Sequence, residues 1–136
     1  TEFSAIKRYM DDSINFARDK EYVETILGRR RYLRDINSRN ITTRGFAERN
    51  AINAPIQGSA ADIIKIAMIL IHKWLEREKL KTKMTMQVHD ELVFDLHKDE
   101  QDIVKPKVME LMRSAVILEV PMEVEVGIGE NWLEAH

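Results

Sequence analysis

The sequence predicts an α+β fold in which helices pack on one face of an antiparallel sheet. Three observations lead to this prediction. Apolar residues recur at helical spacing in three separate stretches of the chain. Two pairs of short runs rich in β-formers are each separated by turn-forming residues, as in hairpins. A later run, residues 122–128, alternates apolar side chains with glutamate or glycine, which is typical of a half-buried strand.

The first third of the chain predicts a helix, a hairpin and a loop. Apolar residues at helical spacing place the helix over residues 1–20. Strands are expected at 22–27 and 30–36, because Gly28 separates two runs rich in β-formers. Residues 37–43 are polar and predict a loop.

Two helices are predicted next. A short one covers residues 45–53, and Pro55 and Gly58 interrupt it because both residues disfavour helix interiors. The second helix runs from Ser59 to about Lys79.

The start of this second helix resembles a capping box, Ser59-Ala60-Ala61-Asp62, with an acid at the third helical position. Residues 63–71 are apolar on nearly every side of a helix, so we expect a buried core element. The longest apolar run, residues 66–71, is far short of the roughly 20 residues that span a bilayer, and we expect no membrane association.

The second half of the chain predicts a second hairpin, a helix and a strand. Strands at 84–88 and 92–96 are joined by a polar break at residues 89–91. A helix follows from about residue 99, with Pro106 either kinking it or marking its start. The alternating run 122–128 is the last predicted strand.

Composition limits the possible classes of protein. The 136 residues are 44% apolar and 32% charged, which indicates one soluble globular domain. The absence of cysteine excludes a disulfide scaffold, a thiol nucleophile and a cysteine zinc site, and it fits a reducing cytoplasm. Residues 29–49 carry seven arginines against two acids, a net charge of +5, whereas residues 87–136 carry a net charge of −8. A polyanion could bind the first region and cations the second, or both could be ordinary solvated faces.

The first candidate site is His89-Asp90-Glu91, held between two apolar strands. Two carboxylates ~4 Å apart repel by about 4 kcal/mol at an effective dielectric near 20, and a divalent cation relieves that repulsion. Magnesium takes one or two carboxylates together with substrate phosphates. The alternative is an ordinary polar hairpin turn. A zinc or iron site formed by His89, Glu91, Asp95 and His97 is disfavoured, because residues 89 and 97 would lie roughly 26 Å apart on an extended chain.

The second candidate is the series Arg49, Asn53 and Gln57, which recurs at every fourth residue. Donors at this spacing can line one side of a helix, and all three can donate to the minor-groove acceptors that every base pair shows. The alternative is capping and loop hydrogen bonding. A third, weaker candidate is Arg29, Arg30 and Arg31 beside Tyr32, because clustered arginine with an aromatic suits phosphate contact.

Four runs, in this order, resemble the family-A DNA polymerases, and together they span nearly the whole chain. They are Tyr22-Val23-Glu24-Thr25 with Gly28-Arg29-Arg30; residues 47–65, including Arg49-Asn50-Ala51-Ile52-Asn53-Ala54-Pro55-Ile56-Gln57-Gly58; Gln87-Val88-His89-Asp90-Glu91-Leu92-Val93; and Val124-Glu125-Val126-Gly127 with Gly129-Glu130-Asn131-Trp132.

The resemblance implies that residues 1–136 form the C-terminal part of a polymerase domain, comprising the end of the fingers base and the second half of the palm. It implies that Asp90 binds catalytic magnesium and that Glu91 supports it. His89 would lie beside the primer terminus, and the series Arg49, Asn53 and Gln57 would contact primer–template DNA. The three arginines at 29–31 would lie near the DNA backbone. The implied reaction joins a deoxynucleoside triphosphate to a primer, with two metals ~3.5–4 Å apart.

The family's other metal-binding aspartate and its triphosphate-gripping fingers helix lie upstream, and neither motif occurs in this sequence. We therefore expect part of a longer bacterial, cytoplasmic polymerase, and we predict that the isolated chain does not extend a primer. Alternatives for the isolated chain are a non-catalytic DNA-binding module and an inert scaffold. We also expect self-association, because the absent strand would leave a sheet edge unpaired.

Overall fold

The computed structural model describes residues 3–136 and divides into two compact units, Thr1–Asp62 and Ile63–His136. The first unit contains helix α1 (Ser4–Lys20), strands β1 (Tyr22–Glu24) and β2 (Arg30–Tyr32), and the first part of helix α2 (Ile41–Arg77). The predicted first helix is confirmed over the described residues, and its first two positions lie outside them. The α+β class is also confirmed.

Small apolar side chains of α2 form the core of the first unit. Side chains of helix α1 contact this part of α2, where the Tyr9 hydroxyl donates to the Ile52 carbonyl oxygen at 3.1 Å. The Arg18 guanidinium lies 2.7 Å from the Glu48 carboxylate. The buried cluster consists of Ala17, Val23, Leu33, Ile36, Ala47, Ala51 and Ala54. On this side the helix contributes only alanines to the cluster, and the larger side chains come from the hairpin and the turn after it.

The first hairpin is confirmed, but its strands are shorter than predicted. Val23 pairs with Arg31 at the centre of a three-residue antiparallel ladder. Gly28 occupies the turn with a φ of +79°, a conformation that glycine adopts without steric cost. After β2 the chain turns, with the Ile36 N–H donating to the Leu33 carbonyl oxygen, and this turn buries both apolar side chains. Burial of these two residues takes the place of the longer second strand.

The predicted break between two helices is wrong, because α2 runs without interruption from Ile41 to Arg77. It therefore begins inside the predicted loop, where the Asn40 side chain accepts the N–H groups of Thr42 and Thr43. Pro55 lies inside the helix and removes one backbone donor. Gly58 does not break the helix, and packing explains its presence: a Cβ there would lie 2.6 Å from Cγ2 of Thr25.

The second unit contains the end of α2, strands β3 (Lys83–Val88) and β4 (Glu91–Asp95), a 3-10 turn (Lys98–Glu100), and helices α3 (Gln101–Ser114) and α4 (Trp132–Ala135). Its buried core joins α2 to α3. The core residues are Ile71, Trp74, Leu75, Val104 and Val108, with Leu80, Leu92, Phe94, Leu96, Leu111 and Met112 packed against them.

Helix α2 is buried on one side only within this unit, and this corrects the expectation of an all-round buried helix. Ile64, Ala67 and Ile71 are buried, whereas Ile69 is exposed. An 18-residue window of α2 has a mean hydropathy of 1.5. By length and composition alone, the helix could therefore cross a membrane, but core helices of soluble proteins meet the same criteria.

The β3–β4 hairpin is confirmed to within one residue at each end. Its register skips one residue at Thr85, whose hydroxyl donates to the Val93 carbonyl oxygen at 3.1 Å. The predicted single sheet is instead two separate two-stranded sheets. The predicted strand at 122–128 forms no ladder within the described residues. Met122, Val124 and Val126 are half-buried and alternate with exposed glutamates, whereas Ile128 is exposed. Alternation therefore identified the buried side of this segment but not a strand partner.

Candidate nucleic-acid interface

The helix row, defined as Arg49, Asn53 and Gln57, lies on α2 with all three side chains exposed. Arg49 and Gln57 are eight positions apart, so the two ends of the row lie about 12 Å from each other along the helix axis. A spacing of four residues keeps the three side chains on one side of the helix. None of them makes a side-chain hydrogen bond or ion pair with another residue in the range 3–136, and the Arg49 guanidinium lies 5.9 Å from the Phe46 ring centroid. The alternative of capping and loop hydrogen bonding is therefore wrong. The row is a set of exposed donors that no other described residue occupies.

A second group of polar residues connects the turn of the first hairpin to α2, and local sequence patterns do not predict these contacts. Asp62 is only 6% exposed. The Nε atom of Arg29 donates to one of its carboxylate oxygens at 2.9 Å, and the Thr25 hydroxyl donates to the other. The Arg29 N–H also donates to the Thr25 hydroxyl at 3.1 Å. Asp62 is therefore no helix-capping acid, because it lies mid-helix and pairs across to the hairpin.

The same turn makes two more contacts with the helix. The Ser59 hydroxyl accepts the Ile26 N–H at 2.8 Å, and Arg29 donates to the Gly58 carbonyl oxygen at 3.3 Å. We call Thr25, Arg29, Gly58, Ser59 and Asp62 the turn latch. One signal for it was present in the sequence: an aspartate beside a long apolar stretch needs a partner when it is buried.

The three consecutive arginines lie in three different environments. Arg29 belongs to the turn latch. Arg30 pairs with Glu24 at 3.0 Å and lies 4.3 Å above the Tyr22 ring, and its hydrogen bond to Glu24 raises the pKa of its guanidinium above the ordinary value. Arg31 is exposed and makes no ion pair or side-chain hydrogen bond among the described residues.

A small cleft of about 140 Å³ lies between the hairpin and α2. Gln57 of the helix row and the three arginines at 29–31 all line this cleft, whereas Arg49 and Asn53 do not. The lining residues are Val23, Glu24, Thr25, Arg29, Arg30, Arg31, Ala54, Pro55, Gln57 and Gly58. Within the first unit, the structure therefore brings together two of the predicted groups.

The second unit carries the carboxylate turn, defined as His89, Asp90 and Glu91. His89 and Asp90 form the two-residue turn, and Glu91 is the first residue of β4. His89 has a φ of 53°, the left-handed conformation that this tight connection requires. Asp90 is exposed at the tip, as predicted. The Gln87 side-chain amide donates to the His89 carbonyl oxygen at 2.9 Å and supports the turn.

Glu91 differs from Asp90 in having a side-chain partner. One of its carboxylate oxygens lies 2.8 Å from Nδ1 of His136, and Glu91 is half-buried. Among residues 3–136 no group of three or more histidine, cysteine or acidic side chains has the arrangement of a metal site, which gives no support to a closed zinc or iron centre. A bound magnesium ion needs only one or two protein carboxylates when substrate phosphates supply its other ligands. The two carboxylates at this hairpin end match that number.

Comparisons with known proteins agree with this geometry. A family model described as DNA polymerase family A matches residues 1–134. DNA polymerase I of Caldicellulosiruptor bescii is 49% identical over 132 residues, which are 97% of this chain and 16% of that protein. DNA polymerase I of Streptococcus pneumoniae is 53% identical over 133 residues, which are 98% of this chain and 15% of that protein. The chain thus spans less than a fifth of the length of these relatives.

A solved structure has the same fold. It is described as the POL domain of Pol1 from M. smegmatis in complex with DNA primer-template and dNTP. The TM-score is 0.95 at 46% sequence identity, and the match covers 98% of this chain and 24% of that one.

Proposed function

This chain belongs to DNA polymerase family A, and we propose on that basis that the protein carrying it performs template-directed DNA synthesis from deoxynucleoside triphosphates. The observation that supports this most is the fold match to a polymerase domain solved with primer-template and dNTP. The outward-facing donors of the helix row and the exposed Asp90 are consistent with it, because both are free to meet a substrate.

Asp90 is the proposed catalytic residue of this chain, with Glu91 beside it. An exposed carboxylate at a rigid two-residue turn can hold a divalent ion at a fixed position relative to the sheet. Magnesium, when bound, would neutralise charge on the reacting phosphates. His89 is proposed to lie beside the primer terminus, with its carbonyl oxygen fixed by Gln87. The Glu91 carboxylate is oriented by His136, which suits a supporting role.

The helix row is the proposed contact with the minor groove of primer–template DNA. Arginine, asparagine and glutamine all donate to the purine N3 and pyrimidine O2 acceptors, which every base pair presents. A row about 12 Å long spans several base pairs, whose rise is 3.4 Å per step. Such contacts test the geometry of each pair and ignore its sequence.

Residues 1–136 are proposed to form the end of the fingers base and the second half of the palm. The protein is proposed to act in the cytoplasm, since the curated relatives are bacterial DNA polymerases I. The isolated chain is a different case. A non-catalytic DNA-binding role is favoured for it, because all three residues of the helix row lie on α2 whereas the proposed metal ligands Asp90 and Glu91 both come from one hairpin.

Substitution of Asp90 tests the proposed function. In the intact protein, Asp90→Ala should lower nucleotide incorporation by at least 1,000-fold, roughly 4 kcal/mol in activation free energy. Affinity for primer–template DNA should change little, because the proposed duplex contacts lie on α2 and the first hairpin. The measurements are single-turnover incorporation and equilibrium DNA binding.

Asp99→Ala is a suitable control, since this acid is 91% exposed and lies in the 3-10 turn. It should retain normal incorporation. Near-normal incorporation by Asp90→Ala would contradict the catalytic role, and failure of the unsubstituted protein to bind primer–template DNA would contradict the proposed function as a whole.

A further inference from the structure

We propose that Arg31, alone among the three consecutive arginines, contacts a backbone phosphate of the DNA duplex, whereas Arg29 and Arg30 are positioning residues. This inference rests on the proposed function and specifies which part of the basic cluster meets the polyanion. It follows from the different partners of the three guanidinium groups.

The charge of Arg29 is matched by a buried carboxylate, although the Arg29 side chain itself is 53% exposed. Its guanidinium donates to the buried carboxylate of Asp62 and to the Gly58 carbonyl oxygen. A buried carboxylate that loses its cation is strongly destabilising, so the pair is not available for exchange with a phosphate. Arg29 therefore fixes the hairpin turn on α2.

The charge of Arg30 is matched by Glu24, on the face of the ladder opposite to Val23 and Arg31. Residues directly across an antiparallel ladder share a face, and Arg30 stands opposite Glu24, next to the pair Tyr22 and Tyr32. Its guanidinium bonds to the Glu24 carboxylate and lies over the Tyr22 ring. The carboxylate offsets its charge, and the stacking fixes its position.

Arg31 differs from Arg30 in the face of the ladder that it occupies, and it differs from both neighbours in having no carboxylate partner among the described residues. It stands opposite Val23, whose side chain is buried against the alanines of α2, so Arg31 is on the helix-facing side of the ladder. There it lines the cleft together with Gln57, the last member of the helix row. It has no carboxylate within the described residues to offset its charge. A guanidinium and an amide in one cleft are suited to the oxygens of a phosphodiester, because arginine can donate two parallel hydrogen bonds to it.

The salt dependence of DNA binding tests this assignment in the intact protein. The slope of log K against log salt reports the number of phosphates neutralised, at about −0.9 per phosphate on duplex DNA. Arg31→Gln should reduce the magnitude of this slope by about 0.9, with a weaker Kd at low salt. Arg31→Lys should restore the slope, because lysine keeps the charge. Arg30→Gln is the matched neighbour and should leave the slope unchanged.

Arg29→Gln distinguishes a structural role in folding from a charge that contacts DNA. It should lower the melting temperature, because it leaves Asp62 buried without its cation, whereas Arg31→Gln should not. A slope unchanged by Arg31→Gln, or reduced equally by Arg30→Gln, would overturn the assignment. If Arg29→Gln does not fold, the comparison of Arg31→Gln with Arg30→Gln still decides. If the unsubstituted protein did not bind duplex DNA at all, the proposed function itself would be refuted. Failure of the Arg31 assignment is thus distinguishable from failure of the proposed function.

Discussion

Asp62 and Asp90 are the same residue type in opposite surroundings. Asp62 is buried, and both of its carboxylate oxygens accept hydrogen bonds from the first hairpin. Asp90 is exposed at the tip of a turn, where a ligand can reach both oxygens. Burial with partners makes the first aspartate structural, and exposure on a rigid turn suits the second to an external cation.

The helix row gives a prediction about sequence dependence. In the intact protein, Arg49→Ala and Gln57→Ala should each weaken primer–template binding by about 1–3 kcal/mol, the range for hydrogen bonds that involve a charged or buried partner. The loss should be equal for all correctly paired termini, because the minor-groove acceptors are shared. Equilibrium binding to primers that differ only in the terminal pair measures this. Arg77→Ala, at the exposed end of the same helix, is the control and should bind normally. A defect confined to one base pair would contradict the shared-acceptor mechanism.

At the same scale, the exposed site residues were predictable and the buried polar ones were not. Asp90, Arg49, Asn53 and Gln57 are exposed, as their spacing and turn chemistry predict. Asp62 was interpreted as a helix-capping acid, because local sequence gives no information on a partner located 33 residues earlier in the chain. Pairing over such separations depends on tertiary structure, which short motifs do not encode.

At the scale of elements, α2 shows how packing overrides local propensity. Proline and glycine both predict a break, yet the helix continues through Pro55 and Gly58. Apolar contacts on both sides of this point stabilise the helix, and the glycine is required by the close approach of Thr25. The unpaired run at 122–128 is the converse case, because its pattern is that of a strand while no ladder partner lies within the described residues.

Glu100 joins two elements of the second unit and gives a prediction about pH. Its carboxylate accepts the N–H groups of Lys81 and Thr82 and the Thr82 hydroxyl, at 2.7–2.9 Å. Desolvation raises the pKa of this carboxyl, but the hydrogen bonds outweigh it, so the pKa lies below its ordinary value of 4.5. A depressed pKa contributes stability that is present above the ordinary value and is lost as pH falls through the folded-state value.

We therefore expect Glu100→Gln to remove part of the acid sensitivity of folding. Denaturant unfolding between about pH 3 and 6 should show a shallower fall in the free energy of unfolding for this variant than for the unsubstituted protein. Asp99→Asn, at an exposed neighbouring position, should leave the pH profile unchanged. An unaltered profile in Glu100→Gln would mean that the three hydrogen bonds do not favour the ionised form.

At the scale of the whole molecule, much apolar surface and two sheet edges remain uncovered. Only 28% of the apolar window of α2 is buried within the chain. Large apolar side chains are also exposed at the start of the first helix, namely Phe3, Ile6 and Met10. Within residues 3–136, strands β3 and β4 pair only with each other, so each leaves one edge of N–H and C=O groups open. These are the features expected of a surface that contacts further polypeptide.

This surface predicts self-association of residues 1–136 when they are expressed alone. We expect a dimer or larger assembly at micromolar concentration, joined through a sheet edge or the first helix. The negative charges of Asp90, Glu91 and Asp95 oppose the close approach of two chains. Salt or magnesium should therefore strengthen self-association. Sedimentation equilibrium with and without magnesium measures this. A monomer under both conditions would show that the open edges do not pair.

The turn latch has a consequence for how the protein can vary. Hairpin turns are usually where a chain tolerates inserted residues. In the first hairpin, however, Thr25, Ile26 and Arg29 each bond to α2 or to one another, so the length of the turn is set by the helix that it meets. One extra residue would separate Arg29 from Asp62 or Ile26 from Ser59. A loop at the surface is thereby as intolerant of insertion as a core strand.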